Sequence, residues 1–396
     1  MDRKLLAPAV RERLKKYPPP EDSHYGVVPL PPTEEPILLG AAGPDHRAAM
    51  EALGRANALA ARFPAHFLLS RVLVRQEAVA SSDIEGTHST LDALLEVEET
   101  GDDDATDAEK QVRDYAVALE SALKEVEARG HDAFAVQMIE QLHKSLMKGD
   151  SSFADRHGAS GVFRRKQVRI GGRDWGSSIF NPPPHPDVPE CMSEHIAYLR
   201  CEGMQQLNQS IIAQMAVAHA HFEAVHPFPD GNGRVGRLLL PLLLRAAGYT
   251  PLYLAPYIGA FKTDYYDALR AAQQRLDYRP LISHLSRAIA STVEDSETAV
   301  KRLEALRAEW LARKKFRQKS AAQRMIEALP WHPVVTARTV ERLLGASPAA
   351  ARIALNQLAE ANILTERTGK KRYRVFHASE VLDIYRNPSE TEPGAV

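Results

Sequence analysis

The sequence predicts a mainly α-helical protein with one β-hairpin near its middle and a winged helix-turn-helix at its C-terminus. Three observations carry this. Apolar residues recur at three- and four-residue steps in segment after segment, the spacing of one buried helix face. The second half of Gly161–Gly172 alternates polar and apolar before a turn, and Ser177–Asn181 supplies a return arm that Pro182-Pro183-Pro184 stops. Three short helical patterns and a basic hairpin then close the chain between residues 318 and 386.

Composition narrows the function classes. With 396 residues and 44% hydrophobic content, the chain can build two or three domains with sizeable cores. The formal net charge of −1 gives no bulk attraction to nucleic acid or to an anionic membrane. Cys191 and Cys201 are the two cysteines and lack metal-ligand spacing, which suits a reducing cytoplasm. Met1–Arg13 is charged rather than apolar, so it does not read as a secretory signal, and the longest apolar run, Leu238–Leu244, is too short to span a bilayer. A soluble, cytoplasmic protein is expected.

The elements divide into an N-terminal arm and helices (1–110), a core (111–290), a connector helix (291–317) and the winged helix (318–386). Residues 1–36 hold eight prolines and should run as an extended arm packed on the next domain. Residues 45–63 read as a helix with Ala49, Leu53, Ala56 and Ala60 on one face. Phe67–Ile84 is a second helix, closed by Gly86, and Ser89 or Thr90 caps a third through Leu94. A glutamate at the end of the second helix, Glu85, opposes the macrodipole unless a cation meets it. Residues 101–107 form an acidic, solvated loop. Helical patterns return at Val112–Val126 and Phe134–Met147, where Ile139, Leu142 and Leu146 share a face and His143 reads as structural. Ile211–Val225 is helical; its His219 and His221 are two apart, point to different sides and read as a core pair rather than metal ligands. Leu238–Ala247 continues a helix that Gly248 caps, with Pro241 placed to kink it. Asp264–Leu276 and Val293–Phe316 complete the core and the connector.

One stretch carries the chemistry: His226-Pro227-Phe228-Pro229-Asp230-Gly231-Asn232-Gly233-Arg234-Val235-Gly236-Arg237. Gly231 and Gly233 permit φ > 0 and close backbone approach, so amide N–H groups can converge on an anion at the start of the following helix. Arg234 and Arg237 lie three apart and can grip phosphate oxygens bidentately. Asp230 is an acceptor whose natural partner beside a polyphosphate is a hard cation such as Mg²⁺. His226 has the one side chain here that titrates near neutrality and is the candidate general base. Gly231-x-Gly233-x-x-Gly236 also spells a dinucleotide fingerprint, but the lead-in is helical rather than a strand, and no acidic residue follows between Arg237 and Asp264.

The stretch resembles the signature of the Fic family, His-x-Phe-x-Asp/Glu-Gly-Asn-Gly-Arg-x-x-Arg, with every fixed position matched. The resemblance implies a Fic-type helical core and transfer of AMP from ATP to a Ser, Thr or Tyr hydroxyl of a protein, itself included. His226 would take the hydroxyl proton, Asp230 would hold Mg²⁺, and the ATP site would run from Asp230 through Val235 and Gly236 to Arg237. Ser81-x-x-x-Glu85-Gly86 resembles the family's inhibitory motif, which places Glu85 on Arg237 in competition with the γ-phosphate. The hairpin resembles the flap that adds the target as a strand, giving Ser178, Ile179, Phe180 and Asn181 to the target. Tyr265 and Tyr266 match an aromatic pair that lines the adenine pocket in relatives, and Gln273 falls where relatives often have Asn. In the winged helix, Arg352, Asn356 and Gln357 are placed for a major groove and Lys370, Lys371 and Arg372 for phosphates; docking to protein, or a homodimer, is the alternative use. Two other functions fit the sequence: removal of AMP by the same site, and DNA-binding regulation with the Fic core as a ligand sensor.

Overall fold

A computed structural model describes residues 1–62, 71–101, 105–202, 209–369 and 374–387. Its centre is the helix Ile211–Val225, in which every residue but Gln214 is buried. A helix apolar on all sides belongs inside a protein, and here the helices Val188–Leu199, Asn232–Ala246, Lys262–Arg275 and Arg279–Arg313 all pack on it. Ser210 caps its start by accepting from the Ala213 N–H, and His226 ends it. Of the described residues, 64% are helical, in keeping with the mainly α reading.

The helix Arg71–Ile84 crosses the front of this core. Its buried residues include Val72, Val74, Ala78 and Ile84, and also Glu77, Ser81 and Ser82. Asp107–Arg129, opened by a capping box between Thr106 and Glu109, backs it. Thr90, not Ser89, caps the short helix Leu91–Thr100. Pro241 sits inside Asn232–Ala246 without ending it.

The connector differs from expectation. The helix runs unbroken from Arg279 to Arg313, so residue 290 lies within it. Leu281, Ile282, Leu285 and Ile289 are buried near its start, and Leu303, Leu306 and Trp310 near its end. The C-terminal elements are helix Ala321–Ala328, strand β3 (Val334–Val335), helices Ala337–Leu344 and Pro348–Glu360, strands β4 (Thr365–Glu366) and β5 (Phe376–His377), and helix Ser379–Arg386. These three strands form an antiparallel sheet in the order β3-β5-β4. One apolar cluster extends from Ala42 to Tyr385, so this unit shares its core with the rest. It also grips Leu91–Thr100 along one face: Arg386 pairs with Asp92, His377 with Glu96 at 2.6 Å, and Thr339 bonds Glu99.

The proline-rich arm is not simply extended. Leu14–Lys16 (β1) and Tyr25–Val27 (β2) pair as an antiparallel ribbon, preceded by a short helix, Pro8–Glu12. The arm lies across the hairpin rather than the helices that follow it. Val27 N–H donates to Asn181 O (2.9 Å), Tyr17 OH to Pro182 O (2.7 Å) and the Met1 ammonium to Ser178 Oγ (2.9 Å). Leu6, Val10 and Val27 close over Phe180 and Ala224. The hairpin itself narrows to a single bridge between Ile170 and Phe180.

Candidate active site

The site forms where the central helix ends. His226 takes φ 48°, ψ 61°, the left-handed region that is sterically costly for a side chain other than glycine. Its carbonyl is held by Arg164 Nε at 2.8 Å. The side chain is 22% exposed, with Nδ1 4.0 Å from a carboxylate oxygen of Glu223. Nδ1 is buried with no hydrogen-bond partner among the described residues, which leaves Nε2 as the nitrogen that can face the site. Burial, reinforced by the Arg164 charge, lowers the His226 pKa to about 4, so the ring is neutral at physiological pH.

The following loop is locked by side chains. Asn232 Oδ1 accepts from Phe228 N–H and its Nδ2 donates to Phe228 O, both at 2.8 Å. His143 stacks on Phe228, with ring centroids 3.9 Å apart. Its Nδ1 accepts the Gly161 N–H at 2.8 Å, so Nε2 carries the proton and donates to Asp230 O at 3.0 Å. The histidine read as structural thus fastens the loop. Asn232, expected in the ATP site, has spent its side chain inside the loop; its backbone N–H remains in the first helical turn.

Gly231 adopts φ +78° and begins helix Asn232–Ala246 with no side-chain cap. The first-turn N–H groups of such a helix attract anions. The anion present is the chain's own. Glu85 Oε1 lies 2.8 Å from Arg237 Nη2, and a Cβ on Gly233 would come 2.2 Å from the same oxygen. Arg237 is 1% exposed; its Nε donates to Ser81 Oγ (2.9 Å) and its Nη2 to Ser81 O (2.8 Å). Carboxylates and tyrosines around it, Glu85 foremost, raise its pKa despite burial. The cation that Glu85 needs at a helix C-terminus is thus Arg237, while Lys262 Nζ takes the Ile84 carbonyl at 2.5 Å. Gly86, φ +85°, turns the chain away.

Arg234 is buried and directed to Gln111 Oε1 (3.0 Å) and Met147 Sδ (3.7 Å), with Nε unpaired. Asp230 accepts the Gly231 N–H at 2.6 Å and is 45% exposed, with Arg156 and His157 3.8 and 3.9 Å from its other oxygen. Neither Arg156 nor His157 was marked by the sequence pattern.

Several expected contacts are corrected. Val235 is buried in the core, and Gly236 faces Glu223 and His219, so neither borders the space before the loop. Tyr265 is buried, its OH donating to His219 Nε2 at 2.6 Å while His219 Nδ1 donates to Gly236 O at 3.2 Å. Tyr266 is the open member of the pair, 39% exposed, with Lys262 5.9 Å from its ring centre. Gln273 lines a small cavity with Val10, Arg13 and Val27 beneath the arm, and the flap is instead held by Gln274 Nε2 on Ile179 O at 2.9 Å. Of the four flap residues expected at the target, Ser178, Phe180 and Asn181 are buried against the arm, and Ile179, 44% exposed, is open. His221 stacks on His195, not on a ligand.

Arg352 and Asn356 are exposed on helix Pro348–Glu360, Asn356 accepting from Arg374 at 3.3 Å; Gln357 is half-buried, and its carbonyl accepts from Lys314 at 3.5 Å. Lys370, Lys371 and Arg372 lie outside the described residues. Among the described residues, no helix is long and apolar enough to cross a membrane.

The site thus sets a neutral imidazole beside a helix start and two buried guanidiniums. The chain matches the Fic/DOC family N-terminal model over residues 44–124 and the Fic/DOC family model over residues 133–244. It is 28% identical over 225 residues to a protein adenylyltransferase Fic of Culex quinquefasciatus, covering 55% of this chain and 41% of that one. It is 33% identical over 135 residues to a protein adenylyltransferase Fic of Drosophila virilis, covering 34% and 25%. The chain thus spans less than half the length of these curated relatives. A crystal structure of a Fic family protein from Desulfovibrio desulfuricans G20 shares the fold at a TM-score of 0.53 and 22% identity, over 88% of this chain and 98% of that one.

Proposed function

We propose that the protein transfers AMP from ATP to a hydroxyl of a protein target and is held inactive by Glu85. The observation that carries the reading is Glu85 on Arg237 at the first turn of Asn232–Ala246, near enough to His226 for its charge to act on the ring. In the step, the acceptor oxygen bonds to the α-phosphorus, its proton passes to His226 Nε2, and the bond from the α-phosphorus to the bridging oxygen breaks, releasing pyrophosphate. The N–H groups of Asn232 and Gly233 stabilise charge on the α-phosphate. Arg237, once Glu85 leaves it, holds the terminal phosphate, and Arg234 lies beside it for the β-phosphate.

Asp230 fits Mg²⁺: it is a half-open single carboxylate, and this ion is commonly held by one or two carboxylates together with substrate phosphates. When bound, the ion would neutralise phosphate charge. The deciding experiment is label transfer from α-labelled ATP by wild type and Glu85→Gly, onto itself and onto added protein, with removal of AMP assayed in parallel. Transfer that rises in Glu85→Gly and is lost in His226→Ala is expected; AMP removal that depends on Glu85, without transfer, would overturn the reading in favour of the reverse reaction.

A second reading concerns residues 318–386, as a winged helix that docks duplex DNA. It is supported by the strand order β3-β5-β4 and by the exposed Arg352 and Asn356. Salt-dependent DNA affinity that falls on neutralising Arg352 is expected; no such affinity sinks it.

A further inference from the structure

We propose that Arg164 is a positioning residue for the base, tying the flap to the catalytic loop so that His226 is held in its left-handed conformation. This rests on the transferase reading for its activity test but not for its physical one. Arg164 is buried, and its side chain makes four hydrogen bonds, all to backbone carbonyls. Nε donates to His226 O (2.8 Å), Nη1 to Lys166 O (3.2 Å), and Nη2 to Pro183 O (2.7 Å) and Val225 O (3.3 Å). Its own N–H donates to Pro227 O at 2.9 Å.

The partners are chosen by position. Val225 and His226 are the last turn of the central helix, whose carbonyls lack intrahelical donors. Lys166 and Pro183 lie on the two sides of the flap. One planar fork therefore satisfies the helix end and both flap arms at once, which a flexible ammonium with a single donor centre cannot copy. Among the described residues, no carboxylate pairs with the guanidinium. Its charge is uncompensated and faces the His226 region, where it disfavours an imidazolium; burial alone would act in the same direction. Arg164 thus sets both where the imidazole stands and how readily it stays neutral.

The test uses the full chain with ¹⁵N-labelled histidine, the His226 signal being assigned by its loss in His226→Ala. In wild type the ring should titrate well below the ordinary histidine range. In Arg164→Met its titration should move up toward that range. In Arg164→Lys, which keeps the charge and loses the fork, titration should stay low, while kcat for AMP transfer in the Glu85→Gly background falls about tenfold or more with little change in KM for ATP. A wild-type ring that titrates as free histidine, an unmoved ring in folded Arg164→Met, or full kcat in Arg164→Lys each overturns the proposal. If Arg164→Met does not fold, the wild-type titration and the Lys variant still decide it. If no variant transfers AMP at all, the transferase reading fails and the titrations still judge Arg164.

Discussion

Glu85 Oε1 rests against the Cα of Gly233, so close that a methyl group there would stand 2.2 Å from the oxygen. Gly233 is therefore a contact surface as well as a turn residue. The carboxylate sits at the start of helix Asn232–Ala246 and holds the guanidinium that a phosphate would take in the proposed reaction. Under the proposed function, inhibition is competition between two anions for Arg237.

Glu85→Gly should raise AMP transfer by about tenfold or more, read as label from α-labelled ATP. Removing the carboxylate also leaves Arg237 buried on Ser81 alone. The cost should be about 1–3 kcal/mol, less than for a fully buried pair because Glu85 is 34% exposed. Saturating ATP should recover that loss, so its stabilising effect on Tm should be larger in the variant. Equal ATP effects in both proteins would contradict the competition.

His226→Ala in the Glu85→Gly background should lower kcat by about 10²–10⁴-fold. ATP affinity should change little, because Arg237 and the helix start remain. A fall in affinity with kcat kept would place His226 in binding instead.

The two tyrosines should separate. Tyr266→Ala should weaken ATP binding, since that ring is open beside Lys262 and Glu85. Tyr265→Phe removes the donor to His219 and should cost about 1–3 kcal/mol in stability with ATP affinity unchanged. Urea melts and ATP titration of both variants check this.

Stability should be greatest near neutral pH and fall on both sides. Burial lowers His143 and His226 to about 4 and His219 and His221 to about 3. A depressed base contributes stability above its ordinary value of 6.5, and that contribution is lost as pH falls through the folded values. Burial raises Glu77 to about 7 and Glu223 to about 8. Those carboxyls contribute below 4.5, and the contribution is lost as pH rises through 7 to 8. Glu223→Gln should flatten the alkaline side of a Tm-against-pH curve; an unchanged alkaline limb would refute the assignment.

Phe180→Ala should cost about 3–5 kcal/mol, since the ring is sealed by Leu6, Val10 and Val27. Transfer to a protein target should drop more than ATP affinity, measured side by side. The arm, by this account, is the floor of the flap.

The loop from His226 to Arg237 and its partner Glu85 were legible because their chemistry is written in contiguous residues and a short spacing. Arg164 was not. It stands in the basic run Arg164-Arg165-Lys166, and only the fold brings the carbonyls of Pro183, Val225 and His226 to it. Tyr265 and Phe180 were legible as aromatic but not as buried, because what covers them, His219 in one case and the first 27 residues in the other, is distant in sequence. The hairpin pattern marked an edge for pairing, yet the arm already takes one side of it. The connector was misread at its start because the apolar face of Arg279–Arg313 continues across residue 290 without a break.

That helix rises roughly 50 Å at about 1.5 Å per residue, its first turns set in the core and its last bound, through Trp310, to Glu380. The two halves of the molecule consequently have no swivel between them. The same C-terminal elements also hold Asp92, Glu96 and Glu99, on the helix that follows Glu85.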